Sequence, residues 1–111
     1  MLIMPGGWEG YKNLQASALV GEILRNQYNK GKLVASICMS GNVFLTHGVG
    51  LGNKLTSYPK DTETLRANYE YLEDDVVQDK NMITSRGPAT VYPYAFKIAE
   101  NLVDLEKVKP I

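Results

Sequence analysis

The chain has 111 residues, enough for one domain and too few for two. Its 12 lysines and arginines balance 12 aspartates and glutamates, so no net charge recruits nucleic acid or an anionic membrane surface. No apolar run approaches bilayer length, while 44% hydrophobic residues supply a core. One cysteine excludes an internal disulfide framework and fits a reducing compartment. Met1 to Gly7 carries neither the charged leader nor the long apolar stretch of a signal peptide. A cytoplasmic protein is expected.

Leu2-Ile3-Met4 predicts a short strand halted by the Pro5-Gly6-Gly7 turn. From Ser17 onward, Leu19, Val20, Ile23 and Leu24 recur at helical spacing. Glu22, Arg25, Asn26 and Lys30 fill the other face, and Gly31 ends the helix. Leu33 to Ile37 is a compact apolar run with little alternation, suited to a strand buried on both faces of a parallel sheet. Ser40 to His47 returns to helical spacing through Val43, Phe44 and Leu45. Gly48, Gly50 and Gly52 then interrupt the chain, and Lys54 to Tyr58 reads as a strand ahead of Pro59. Asp61 to Asn68 predicts a helix capped by Thr62 or Asp61. Tyr69 to Leu72 alternates, Val76-Val77 and Met82-Ile83-Thr84 follow, and Asp79-Lys80-Asn81 is the expected turn between the last two. A final helix is expected from Thr90 to Leu105. Ala95, Phe96, Ile98, Ala99, Leu102 and Val103 form its apolar face, with Pro93 in its first turn. Alternating strands and helices make the class α/β.

The chemistry concentrates at Ser36-Ile37-Cys38-Met39-Ser40-Gly41, where a buried strand runs into a helix with the cysteine on the junction. Such an elbow strains its central residue, pushes that side chain outward, and tolerates only small residues two places either side. Ser36 and Ser40 meet that demand. Unpaired amides at the start of a helix favour a thiolate, making the sulfur nucleophilic and open to oxidation. A lone cysteine is more often a small buried hydrophobe. The junction, the small flanks and a second glycine turn at Pro5-Gly6-Gly7 together outweigh that reading. In a parallel sheet those two turns share one edge, where the Gly7 and Met39 amides would form an oxyanion hole beside Cys38.

Four ordered segments then carry a resemblance: Leu-Ile-Met-Pro-Gly-Gly at 2–7, Val-Ala-Ser-Ile-Cys at 34–38, Gly-Asn-Lys-Leu-Thr-Ser-Tyr-Pro at 52–59 and Ile-Thr-Ser-Arg-Gly-Pro-Ala-Thr at 83–90. In order and spacing they resemble the DJ-1/PfpI (ThiJ/PfpI) family, most of all its DJ-1-like branch. The resemblance implies a flavodoxin-like (class I glutamine amidotransferase-like) sandwich with a mostly parallel sheet, usually a homodimer. It makes Cys38 the reactive nucleophile and redox sensor, and gives Gly7 and Met39 the oxyanion-hole amides. Gly6 would line the pocket, and Arg86, Gly87 and Pro88 would lie in the loop closing one side. The implied activity is that of a glyoxalase or deglycase on methylglyoxal and its early adducts, alongside oxidative-stress sensing and chaperone activity. The implied partners are a small reactive carbonyl or glycated adduct, with no cofactor, nucleic acid or membrane.

Two departures accompany the resemblance. The family domain begins well before its Pro-Gly-Gly turn and carries there a glutamate that hydrogen-bonds the cysteine, so residues 1–111 are expected to be an N-terminally incomplete domain. The branch's site histidine falls at Tyr58, and a phenol is a poor base at neutral pH. His47 is no substitute. On a continuous helix, nine residues past Cys38, it would stand about 13 Å away along the axis, beyond reach of a general base. It reads instead as a helix-end residue.

Other signals are weaker. Gly48-Val49-Gly50-Leu51-Gly52 follows a helix and precedes a strand, the reverse of a dinucleotide-binding turn. One histidine and one cysteine do not make a metal site. Glu73-Asp74-Asp75 reads as a solvated turn, and Tyr69, Tyr71, Tyr92 and Tyr94 as packing residues. Beside the enzyme reading stand a non-enzymatic redox sensor or chaperone and an inactive truncated member. A cysteine peptidase ranks last, because that branch pairs its cysteine with an adjacent histidine and Met39 stands here.

Overall fold

The computed structural model describes residues 2–102. Its centre is β2 (Val34–Ile37), the apolar run expected to be buried on both faces. β1 (Leu2–Met4) and β6 (Met82–Ser85) pair with β2 in parallel, and β5 (Val76–Asp79) adds antiparallel to β6, giving the order β1-β2-β6-β5. The register sets Met4 beside Ser36 and Ser36 beside Thr84, so the ends of β1, β2 and β6 reach one edge of the sheet together. A separate parallel pair joins β3 (Lys54–Leu55) to β4 (Glu70–Tyr71).

Alternation along the strands divides the core into two layers. Val34 and Met82 face one side and pack with Leu24, Val43, Phe44, Leu55 and Leu65, all fully buried. These residues come from α2 (Ala18–Asn29), α3 (Gly41–Thr46), β3 and α4 (Glu63–Asn68), with Tyr11 of α1 (Trp8–Ala16) joining them. Each such side chain contributes about 1.5–3 kcal/mol by leaving water. Ala35 and Ile83 face the other side and meet Tyr94 of α5 (Val91–Leu102). The result is the α/β sandwich with a mostly parallel sheet that the sequence predicts.

Several local expectations need correction. α1 has no counterpart in the sequence reading. It starts at Gly7, whose φ of 102° suits glycine, and Ser17 then separates it from α2 while accepting a hydrogen bond from the Val20 amide at 3.2 Å. The helix expected from Ser40 is preceded by one 3-10 turn, Cys38–Ser40. The strand expected to reach Tyr58 stops at Leu55, because the next amides bond elsewhere: Thr56 to the Thr84 hydroxyl at 2.9 Å and Tyr58 to the Cys38 carbonyl at 3.1 Å. Thr62 does precede α4, but its hydroxyl accepts from Arg66 Nε at 3.1 Å instead of capping the helix. Asp61 lies one residue further out, at φ 53°.

The last helix begins at Val91, after a 3-10 turn at Pro88–Thr90, and Val103 to Leu105 fall outside the described residues. Its apolar face is only partly covered, since Phe96 and Leu102 are exposed. α5 packs over β6 and β5, leaving the β1 side of that face open. Ile3 is 49% exposed there. On α2, Leu24 is buried, whereas Leu19 and Ile23 are exposed. An apolar groove lined by Leu2, Ile3, Leu14, Val20 and Ile23 runs along the free edge of β1. Among the described residues no helix is long and apolar enough to cross a membrane.

Candidate functional site

Cys38 follows directly on β2 and has φ 63°, in the left-handed region. For a residue with a β-carbon that setting costs about 1–2 kcal/mol, so neighbouring contacts must hold it. Four do. The Tyr58 amide donates to the Cys38 carbonyl at 3.1 Å, and the Ser40 hydroxyl donates to the Pro5 carbonyl. Asn42 Nδ2 donates to the Met39 carbonyl at 3.1 Å. Gly6 presses against the cysteine so closely that a β-carbon there would lie 3.1 Å from Cys38 Cβ. The elbow and the diglycine turn therefore meet at one sheet edge.

Small residues are required where the elbow argument puts them and at one further position. Ser36 and Ser40 are both fully buried. Gly41 is the addition: a β-carbon on it would stand 3.2 Å from Ser57 Cβ and 3.4 Å from the Thr56 carbonyl. Among the described residues the Ser36 hydroxyl has no hydrogen-bond partner.

The candidate residues divide as follows. Gly6, Cys38 and Tyr58 are in mutual contact or one contact apart. Tyr58 is exposed, and its ring lies 3.5 Å from where a β-carbon on Gly87 would be. Met39 sends its side chain into the core and is 6% exposed, so only its backbone is offered to the elbow. Gly7 is exposed at the start of α1. Pro88 is exposed and opens the turn before α5. Arg86 turns inward to bond protein groups: Nε donates to the Ser57 carbonyl at 3.1 Å and Nη2 to the Tyr71 hydroxyl at 3.2 Å. The cysteine is a free thiol, half-buried.

His47 is held away from this site. It ends α3, its Nε2 lies 3.0 Å from the Leu14 carbonyl, and its ring fills the space beside Gly21. Two tyrosines of the core layers have displaced titration. Burial, aided by Tyr28, raises the Tyr69 phenol above its ordinary range, and burial pushes the Tyr94 phenol up to about 12.

Ser57 and Tyr71 were not visible as site residues in the sequence. Ser57 is fully buried, and its hydroxyl lies 3.1 Å from that of Tyr71. The available signal was the alternation at Tyr69-Glu70-Tyr71-Leu72. It assigns a strand but not what the phenol of Tyr71 touches.

Comparison with known proteins agrees with this geometry. The profile of the DJ-1/PfpI family matches residues 1–101. Protein dj-1beta of Drosophila melanogaster is 46% identical over 112 aligned residues, covering 100% of this chain and 60% of that protein. The crystal structure of Drosophila melanogaster DJ-1beta superposes with a TM-score of 0.91 at 48% identity, over 95% of this chain and 57% of the other. A glutathione-independent glyoxalase of Caenorhabditis elegans, DJR-1.2, is 34% identical over 111 residues, 100% of this chain and 59% of its own. A deglycase of Pyrococcus horikoshii is 36% identical over 95 residues, 84% of this chain and 56% of its own. The chain thus spans at most 60% of the length of these curated relatives. With the elbow, the diglycine turn and the sheet order all in place, the chain belongs to the DJ-1/PfpI family.

Proposed function

We propose that the protein carrying this chain converts small reactive carbonyls, methylglyoxal or its early adducts, by covalent catalysis at Cys38. The observation that carries the reading is the left-handed Cys38 at the end of β2, wedged against Gly6. A side chain held in a strained setting by so many neighbours is a mark of a working site. Relatives named as a glyoxalase and a deglycase support the substrate class.

In this reading the Cys38 thiolate adds to the aldehyde carbon, and the carbonyl pair moves onto oxygen. The Gly7 and Met39 amides stabilise that oxyanion until it is protonated to the hemithioacetal. A proton then passes from the aldehyde carbon to the neighbouring carbonyl carbon while the hemithioacetal hydroxyl gives its proton up and the ketone oxygen takes one, and one water cleaves the resulting thioester to lactate and free thiol. Gly6 borders the pocket, with Tyr58, Arg86, Gly87 and Pro88 on the opposite wall. We place the activity in the cytoplasm, in a homodimer of complete DJ-1/PfpI domains of which residues 1–111 form one part. The test is methylglyoxal consumption by the family-length protein without glutathione. Cys38→Ala is expected to abolish it, and turnover at the unsubstituted rate would remove the reading.

Redox sensing is the second reading, and one observation favours it. Cys38 is half-buried and is the only cysteine of residues 1–111, so within these residues no second thiol stands by to resolve a sulfenic acid into a disulfide. Mild peroxide is expected to yield the sulfinic acid at Cys38, read by intact mass. A thiol that stays unmodified until the protein unfolds would count against this role.

A further inference from the structure

The segment after β3 has little regular structure of its own, yet it supplies the Tyr58 amide that binds the Cys38 carbonyl at 3.1 Å. Something else must fix that segment. Parallel pairing sets Leu55 of β3 beside Tyr71 of β4, and the Leu72 amide donates to the Leu55 carbonyl at 2.8 Å. This register carries the Tyr71 phenol to Ser57. Its hydroxyl donates toward the Ser57 carbonyl at 3.2 Å and lies 3.1 Å from the Ser57 hydroxyl. The Ser57 hydroxyl in turn donates to the Tyr58 carbonyl at 3.1 Å. The same phenol accepts from Arg86 Nη2 at 3.2 Å, while Arg86 Nε donates to the Ser57 carbonyl at 3.1 Å. Arg66 stacks on the ring at 4.4 Å. The one Tyr71 hydroxyl proton goes to the Ser57 carbonyl or the Ser57 hydroxyl, while the phenol oxygen accepts from Arg86.

We propose that Tyr71 is a positioning residue: its hydroxyl locks Ser57 and thereby holds the Tyr58 amide on the Cys38 carbonyl, keeping the cysteine in its left-handed setting. The proposal rests on the reading of Cys38 as the nucleophile and adds a residue that never touches substrate. Arg86 belongs to the same strut. Its Nε, Nη1 and Nη2 all donate to protein groups, Nη1 to the Glu73 carbonyl at 3.5 Å.

Tyr71→Phe removes the hydroxyl and keeps the ring under Arg66, so it is the variant of choice. Two readouts are taken on the folded protein: hydrogen–deuterium exchange at the Tyr58 amide, and iodoacetamide alkylation of Cys38. Tyr71→Phe is expected to speed Tyr58 exchange about tenfold, the loss of roughly one hydrogen bond, with the Ala35 amide unchanged. Alkylation is expected to slow severalfold. Ser57→Ala is expected to act on the same path, so the double variant falls short of the summed effects. If Tyr71→Phe fails to fold, Ser57→Ala alone gives both readouts. Tyr58 exchange and Cys38 alkylation at the unsubstituted rates in a folded variant overturn the proposal. If the unsubstituted Cys38 alkylates no faster than the unfolded chain, the nucleophile reading fails. Tyr58 exchange still decides the strut, which stands if exchange rises in Tyr71→Phe and falls if it does not.

Discussion

A β-carbon on Gly6 would stand 3.1 Å from the β-carbon of Cys38. The diglycine turn is therefore the surface against which the elbow is pressed. Gly6→Ala forces one of the two to move, and each lies just past the end of one of two strands paired in register, β1 and β2. The expected cost is about 1–3 kcal/mol of stability together with a severalfold loss of Cys38 reactivity. Chemical denaturation and thiol alkylation measure the two effects separately. A fully stable, fully reactive Gly6→Ala would show that the contact does not constrain the cysteine.

Gly21 offers a sharper test of packing, because local propensity and tertiary contact disagree there. It lies inside α2, where alanine is better than glycine by about 1 kcal/mol. A β-carbon at that site would fall 2.4 Å from His47 Nδ1, and the ring is tied to the Leu14 carbonyl. Gly21→Ala is expected to destabilise by about 1–2 kcal/mol, and His47→Ala in the same chain to recover part of it. A rise in melting temperature for Gly21→Ala alone would contradict the contact.

Tyr94 is buried on the α5 face, and among the described residues its hydroxyl has no hydrogen-bond partner. Tyr94→Phe is therefore expected to be neutral or stabilising by up to about 1 kcal/mol at pH 7. Burial pushes this phenol up to about 12 from 10.0, so the folded chain holds the proton more tightly than the unfolded chain. Its contribution is whole below pH 10 and is lost as pH rises through 12. Urea titrations between pH 9 and 12 should show the Phe variant gaining relative stability with pH. An unchanging difference would mean the phenol ionises equally in both states.

Lys80 has φ 56° in the β5–β6 turn, the same strained region as Cys38, and its carbonyl accepts from Gln78 Nε2 at 3.3 Å. Lys80→Gly relieves about 1 kcal/mol of backbone strain, less the added entropy of an unfolded glycine. A net gain of about 0.5 kcal/mol is expected in the denaturation midpoint. A net loss would mean that the lysine side chain stabilises the hairpin.

The α/β class and the elbow were legible because their signals are local. Val34 to Ile37 is apolar without alternation, and small residues flank Cys38. Helix α1 was not legible: Gly10 interrupts it, and its described core contacts come from Tyr11 and Leu14, so tertiary packing makes it a helix. The exposure of Ile3 follows from α5 lying over β6 and β5, which no periodicity reports. The strut from Arg86 through Tyr71 to Ser57 joins residues up to 29 positions apart. Ser57 and Tyr71 read as ordinary strand residues, and Arg86 as a residue of the pocket loop, until the pairing of β3 with β4 brings them together.

Cys38 is the sole cysteine of residues 1–111, so alkylation read on the peptide that carries it reports one atom. The iodoacetamide rate of the folded protein at pH 7 is compared with that of the same chain in denaturant. A sulfur held outward at a strained bend among free amides should react several times faster when folded. Equal or slower reaction in the folded state would leave the sulfur an ordinary packing group and contradict the assignment of chemistry to it.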